Sequence, residues 1–434
     1  MSNKTCILGA GLSGLVTMKH FKQKGLPFEC FEKGPQIGGN WNFQNKNGLS
    51  SIYRSLHINT SKKYLELEGY PIPQDMPDFP HHSEVFNYLK GYADHFQLEN
   101  IRFNQEIKRA NWDEKKKLWF LTLPNHKEKC FKNLIICSGH HWDSHTPVFP
   151  GHFAGETLHS HNYIDPQVPL VLKNKRVLIV GLGNSAVDIA SELSQRSLQN
   201  NVFVSTRRGA HIIPKYIFGR PLDQLLPTLP LIPLSLQRKI SGLVLRMAVG
   251  NLKNYGLPRP DHRLLEAHPT VSGEFLLRKG SGDINVVPQI KELQESRVLF
   301  TNGQSHPFDV IIYSTGYKTS FPFFEEGLLP LKNNHLPLFK RVFLPGKPNL
   351  MFIGLGQPIP GLFPFIEEQA KWVSSYLSGQ YKLPSPSRME QEIKKDELRD
   401  NGHFVSSLRH TMQIDFHVYK RNLKKEIKKG CKRI

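Results

Sequence analysis

Gly9-Ala10-Gly11-Leu12-Ser13-Gly14 has the glycine spacing of a turn that receives a phosphate, with Thr5-Cys6-Ile7-Leu8 as a short apolar strand before it and a helical run after it. The first glycine permits the tight turn, the second lets the backbone approach a pyrophosphate at the helix N-terminus, and Gly14 allows close helix–strand contact. Phe28-Glu29-Cys30-Phe31-Glu32 reads as the next strand, and Glu32 at its end is an acceptor for ribose hydroxyls. A second turn, Gly181-Leu182-Gly183-Asn184-Ser185-Ala186, follows Arg176-Val177-Leu178-Ile179-Val180, with Ala in place of the last glycine. Its next strand, Val202 to Thr206, ends in Arg207-Arg208 and no acid. An acid there repels a 2′-phosphate, whereas a guanidinium clamps it, so this unit favours NADPH over NADH; the plainer reading of the arginines is a solvated strand end. One site thus suits a nucleotide with a free ribose, such as FAD, and the other NADP. Flavin beside nicotinamide means hydride transfer from C4 of the nicotinamide to N5 of the flavin. No C-x-x-C pair is present to take the electrons onward, which leaves molecular oxygen or an external acceptor.

The elements that must position these turns are two β-α-β units, a weak internal repeat. Two further apolar strands end in small residues: Leu134 to Gly139, and Val310 to Gly316. Trp112 to Phe131 alternates apolar and polar residues around Glu114-Lys115-Lys116-Lys117, the pattern of an antiparallel meander. Leu350 to Ile353 reads as a last strand before a helix from about Phe363 to Leu377. The expected fold is α/β, with two Rossmann-like dinucleotide-binding domains and the NADP domain inserted in the FAD domain. Residues 1–165 and 305–434 make the first and 166–304 the second. The segment Pro221 to Leu257, rich in Pro and Leu, has no clear period and reads as a cover over a site.

With 434 residues, 39 % of them hydrophobic and 22 % charged, the chain falls in the globular class. No uninterrupted apolar run approaches the ~18 residues of a membrane span, and the N-terminus lacks the apolar core of a signal peptide. Five scattered cysteines fit a reducing, cytoplasmic setting. The net charge of +20 invites nucleic-acid or membrane-surface readings, but no nucleic-acid motif is visible. Residues Tyr419 to Ile434 alone carry eight Lys/Arg against Glu426.

At Phe153-x-Gly155-x-x-x-His159-x-x-x-Tyr163 the sequence resembles the flavin-containing monooxygenases, whose fingerprint F-x-G-x-x-x-H-x-x-x-Y/F it matches at every fixed position. Baeyer–Villiger monooxygenases end that fingerprint in Trp, so Tyr163 points to the first group. Gly38-Gly39-Asn40-Trp41, Asn59-Thr60-Ser61-Lys62, Gly183-Asn184-Ser185, Ser314-Thr315-Gly316-Tyr317 and Glu368-Gln369-Ala370-Lys371-Trp372 agree with the same family over nearly the whole chain. The resemblance implies an FAD- and NADPH-dependent enzyme that forms a C4a-hydroperoxyflavin and passes one oxygen of O2 to a small-molecule nucleophile, at amine nitrogen or sulfide sulfur. It implies Gly9, Gly11, Ser13, Gly14, Glu32, Asn40, Trp41, Asn59 and Thr60 as FAD-binding. For NADP it implies Gly181, Gly183, Asn184, Ser185 and Ala186, with Arg207 on the 2′-phosphate. Asn59 also matches the asparagine near the reactive flavin edge and is the one catalytic candidate; the resemblance further implies that His159 and Tyr163 belong to a fingerprint that links the domains and does no acid–base chemistry.

His81-His82 and His140-His141 are adjacent pairs that face opposite ways along a strand, so no metal is assigned. Members that anchor in membranes do so by a long apolar C-terminal segment. Here Tyr419, Leu423 and Ile427 form one stripe on a basic helix, which is read as packing on the domain; weak contact with an anionic membrane surface stays open, as does a homodimer. The alternatives held beside this reading are a Baeyer–Villiger or amino-acid N-hydroxylating monooxygenase, or a flavin-binding NADPH oxidase with no organic substrate.

Overall fold

The computed structural model describes residues 4–225, 234–264, 266–267, 269–401 and 412–434. The chain divides into two compact units, one of Met1–Ser50, Thr60–Asp143 and Lys318–Ile434, the other of Ser51–Asn59 and Ser144–Tyr317. Four helices recur below: α1 (Leu12–Gln23), α2 (Asn184–Leu193), α3 (Leu362–Leu377) and α4 (Phe416–Cys431).

The first unit is built on a six-stranded sheet ordered Phe343–Leu344, Lys347–Phe352, Asn133–Ile136, Thr5–Leu8, Phe28–Phe31, Ile101–Arg102. Its pairings are parallel except for the Phe343–Leu344 hairpin. The strands read as unbroken apolar runs because both faces are covered. A three-stranded antiparallel meander, Arg109–Asp113, Leu118–Thr122 and Glu128–Phe131, packs Trp119, Leu121 and Phe131 onto Cys6, Phe31 and Ile136. Helix α1 packs along α3, where Glu367 takes the buried Lys19 ammonium at 3.3 Å and the His20 ring at 2.5 Å. In α4, Tyr419 and Leu423 are buried and Tyr419 donates to the Lys340 carbonyl at 3.0 Å, so the apolar stripe of the basic helix packs within its own unit.

The second unit holds a five-stranded parallel sheet ordered Glu156–His159, Val310–Tyr313, Arg176–Val180, Asn201–Ser205, Ile284–Val287. Alternation along these strands sends Val177, Ile179, Val202, Val204 and Ile312 to the face covered by α2, and Leu178, Val180, Phe203 and Ile311 to the face covered by Phe300 and Phe308. The boundaries expected at 165 and 305 differ from the observed ones for a physical reason. Glu156–His159 and Val310–Tyr313 both hydrogen-bond into this second sheet, which draws 144–165 and 305–317 with them.

Both sheets share one plan. The strand that feeds each glycine turn has its β-α-β partner on one side and, on the other, a parallel strand ending in small residues. Strand order reverses at that point, which in open α/β sheets is where ligands bind. Within the Pro- and Leu-rich segment the structure forms a helix, Leu234–Val249, whose Leu236, Ile240, Leu243 and Met247 stay exposed. Positions 226–233 of that segment lie outside the described residues. Among the described residues no helix is long and apolar enough to cross a membrane.

Candidate functional site

In the first unit Gly9 adopts φ +105°, and a Cβ there would lie 2.6 Å from the Cys137 carbonyl oxygen. Side chains rarely adopt that conformation, so only glycine turns the chain here without strain. A Cβ on Gly14 would collide with the Gly9 carbonyl. Gly11 starts α1 with extended backbone and no side-chain cap, leaving the first N–H groups of the helix without an internal acceptor. That is the polar complement of a phosphate. The Gly38–Gly39 turn closes onto it: Gly38 N–H donates to the Ala10 carbonyl at 3.0 Å, and a Cβ on Gly39 would sit 2.8 Å from Gly11 Cα. Asn40 and Trp41 follow in a short 3-10 turn, with the Asn40 carbonyl accepting from Ser50 Oγ at 2.7 Å.

Glu32 is buried at the end of its strand. Its Oε2 accepts from Ala10 N–H at 2.8 Å, and its Oε1 from Gly34 N–H at 2.6 Å and Asn47 Nδ2 at 3.3 Å. A carboxylate has about four acceptor sites, so capacity remains for a hydroxyl. Ser13, in the first turn of α1, is met by Gly354, the residue that follows the Lys347–Phe352 strand by two. Gly354 is itself held from α3, where the fully buried Gln369 accepts its N–H at 2.9 Å. Thr60 donates to the Pro360 carbonyl at 3.4 Å, just ahead of the α3 N-terminus. Ser138, Gly139, Gly354 and Leu355 line a small pocket at the strand ends, and the buried Ser138 hydroxyl has no hydrogen-bond partner among the described residues.

The second unit repeats these relations. Gly181 has φ +123°, and a Cβ there would lie 2.5 Å from the Ser314 carbonyl oxygen, as Gly9 meets Cys137. Ser314 also carries a buried hydroxyl without a hydrogen-bond partner among the described residues. Gly183 precedes α2 in extended backbone without a side-chain cap, and Ala186 is fully buried against the sheet. Asn184 Oδ1 accepts from Val271 N–H at 2.8 Å, and Ser185 lies half-buried beside it in the first turn. Past the Asn201–Ser205 strand, Thr206 Oγ1 bridges to the Arg208 carbonyl at 2.6 Å and folds Arg207 into a turn. Arg208 pairs with Asp261 at 3.3 Å; Arg207 is exposed and has no ion-pair partner among the described residues.

Asn59 ends the short segment that belongs to the second unit, and its side-chain Oδ1 is buried without a hydrogen-bond partner among the described residues. His159 Nδ1 accepts from His161 N–H at 3.0 Å; burial lowers its pKa to about 4, so the ring is neutral at pH 7 and packs against Tyr317. Tyr163 is fully buried and donates to Glu192 Oε2 at 2.9 Å. Three elements of the cradles were not singled out in the sequence: Gly354, Gln369 and the serine pair Ser138/Ser314. Gln369 and Ser314 stood in quoted motifs, yet the Gln369 bond reaches a backbone N–H fifteen residues away, which spacing cannot announce. Among the described residues no group of three or more His, Cys, Asp or Glu is placed to hold a metal ion.

The sequence profile of the Flavin-binding monooxygenase-like family matches residues 2–432. The chain belongs to that family. It is 36 % identical over 438 residues to the rabbit (Oryctolagus cuniculus) flavin-containing monooxygenase 5, covering 95 % of this chain and 80 % of the relative. To the mouse (Mus musculus) protein named dimethylaniline monooxygenase [N-oxide-forming] 2 it is 35 % identical over 441 residues, covering 96 % and 81 %. Among solved structures, S-allyl-L-cysteine S-oxygenase of Allium sativum superposes with a TM-score of 0.71 at 24 % identity, covering 98 % of this chain and 88 % of that one. The OTEMO complex with FAD and NADP gives a TM-score of 0.75 at 17 % identity, covering 99 % and 98 %. These structures share the two-domain Rossmann-like α/β fold. This family member is a flavin-binding monooxygenase.

Proposed function

We propose that this monooxygenase oxygenates nitrogen or sulfur of a small soft nucleophile, with FAD on the Gly9–Gly14 turn and NADP on the Gly181–Ala186 turn. What supports the assignment is the difference between two otherwise matching turns: a buried Glu32 with spare acceptor capacity closes one, an exposed Arg207 with no ion-pair partner among the described residues the other. The names of the relatives, N-oxide-forming in the mouse and S-oxygenase in Allium, support nitrogen and sulfur as the atoms attacked.

When bound, FAD would supply the redox chemistry: two electrons from NADPH and one oxygen atom of O2 for the nucleophile, the other leaving as water. The chain's own residues bind and orient. Gly9, Gly11 and Gly14 clear the backbone for the pyrophosphate, Ser13 adds a hydroxyl in the first turn, and Glu32 accepts from the ribose. Asn40, Trp41 and Thr60 complete the first site. Gly183, Asn184 and Ser185 present the α2 N-terminus to the second pyrophosphate, Ala186 keeps that helix close to its strand, and Arg207 takes the 2′-phosphate. Asn59 brings an amide that donates and accepts at once, and its buried Oδ1 needs a partner. Burial of Cys6, Cys30 and Cys137 as free thiols is consistent with a reducing, cytoplasmic setting.

The test is NADPH oxidation by the purified yellow protein with tertiary amines, thioethers and ketones in separate runs. The expected result is an N-oxide or sulfoxide with the first two classes and little ester from the third. Ester as the main product would move the protein to Baeyer–Villiger chemistry.

A further inference from the structure

Ser51–Asn59 belongs to the second unit, and a part-buried hydrogen bond to one helix fastens it there. Tyr53, 3 % exposed, donates its hydroxyl to Asp188 Oδ2 at 2.6 Å. Glu192, which accepts from the Tyr163 hydroxyl at 2.9 Å, is the carboxylate whose charged form Ser55 stabilises. The two tyrosine rings meet edge to face, centroids 6.2 Å apart. Asp188 and Glu192 are four residues apart on α2 and so stand one above the other on the same face. Arg54 secures the same segment through Asp165 at 2.8 Å and the Ile164 carbonyl.

Stability alone gives little reason for this arrangement. Burial pushes both carboxyls above the usual carboxylate range, and an apolar pair would fill the volume without that penalty. Directional bonds do what apolar packing does not: they fix one register of the segment against the helix. Phe is equally acceptable to the fingerprint at position 163, yet here the tyrosine hydroxyl is in use.

We propose that Asp188 and Glu192 are positioning residues, which tie the segment ending in Asn59 to α2 through Tyr53, Ser55 and Tyr163, so that a nucleotide seated at the α2 N-terminus sets where Asn59 lies. The proposal rests on the reading of Gly181–Ala186 as the NADP turn. Coupling of this kind is reciprocal: a segment held to α2 is ordered when α2 is ordered.

Hydrogen–deuterium exchange on the FAD-loaded protein, with and without NADP⁺, reads the coupling independently of turnover. In the unmodified protein NADP⁺ should slow exchange both in 181–186 and in 51–59. In Tyr53→Phe the first effect persists, while the second shrinks by roughly 2- to 13-fold, the factor for one lost hydrogen bond. Asp188→Asn keeps an acceptor for the tyrosine and should retain the coupling; Asp188→Ala should not. Ser55→Ala, at an exposed position that leaves the core intact, should show a smaller loss and serves if Tyr53→Phe does not fold. Protection of 181–186 without any in 51–59, or equal protection of 51–59 in every variant, overturns the positioning role alone. No protection of 181–186 in the unmodified protein overturns the NADP reading, and the coupling with it.

Discussion

Arg207 and Arg208 are neighbours in sequence and unequal in the fold, because Asp261 engages only the second. An anion arriving at the strand end meets one guanidinium that is free to turn and one already paired. Arg207→Ala should therefore lower NADPH use by roughly 10- to 150-fold, on about 1.5–3 kcal/mol for a charged hydrogen bond, and leave NADH use nearly unchanged. Steady-state kinetics with both nucleotides decides it; equal losses with the two would make Arg207 structural. Asn59 gives a second prediction at this scale. Asn59→Ala should keep FAD, since one hydrogen bond of about 0.5–1.5 kcal/mol does not empty a site held by many others. Flavin reduction by NADPH should stay within a few-fold, while product falls and hydrogen peroxide rises. Stopped-flow reduction run beside a peroxide count separates these, and a variant with full product yield would remove Asn59 from the oxygenation step.

At the scale of elements, each turn works because a glycine is pressed against the carbonyl of a neighbouring strand. Gly14→Ala would drive a methyl into the Gly9 carbonyl, so the variant should purify with little FAD; a fully yellow protein would show that α1 can move away. Helix α2 gives an element its own pH signature. Burial, opposed by the Tyr53 hydrogen bond, raises Asp188 to about 6, above its unfolded value. The folded state thus binds the extra proton between about pH 4 and 6, and the stability this group contributes is lost as pH rises through that window. The melting difference between the unmodified protein and Asp188→Asn should change over pH 4–6 and be flat above; a constant difference would contradict the raised value. The glycine turns, Glu32 and the meander were legible because spacing and alternation encode them. The strand Val310–Tyr313 was legible as a strand, but an apolar run buried on both faces does not say which sheet takes it. The helix Leu234–Val249 was not legible, since Leu236, Ile240, Leu243 and Met247 place apolar residues on an exposed face and blur the period.

For the molecule as a whole, the central claim is that two similar Rossmann-like units, differing in what closes each nucleotide turn, make an enzyme that places oxygen from O2 on a nucleophile. The net charge of +20 adds no specific partner to that account; it is compatible with two anionic cofactors and a solvated basic surface. The most direct measurement is turnover of the FAD-loaded protein with NADPH and a thioether or tertiary amine under isotopically labelled dioxygen, with product, peroxide and NADPH all counted. The account predicts one labelled oxygen atom in each sulfoxide or N-oxide molecule, formed in proportion to the NADPH oxidised. Label recovered only in peroxide and water, with no oxygenated product from either substrate class, would contradict it.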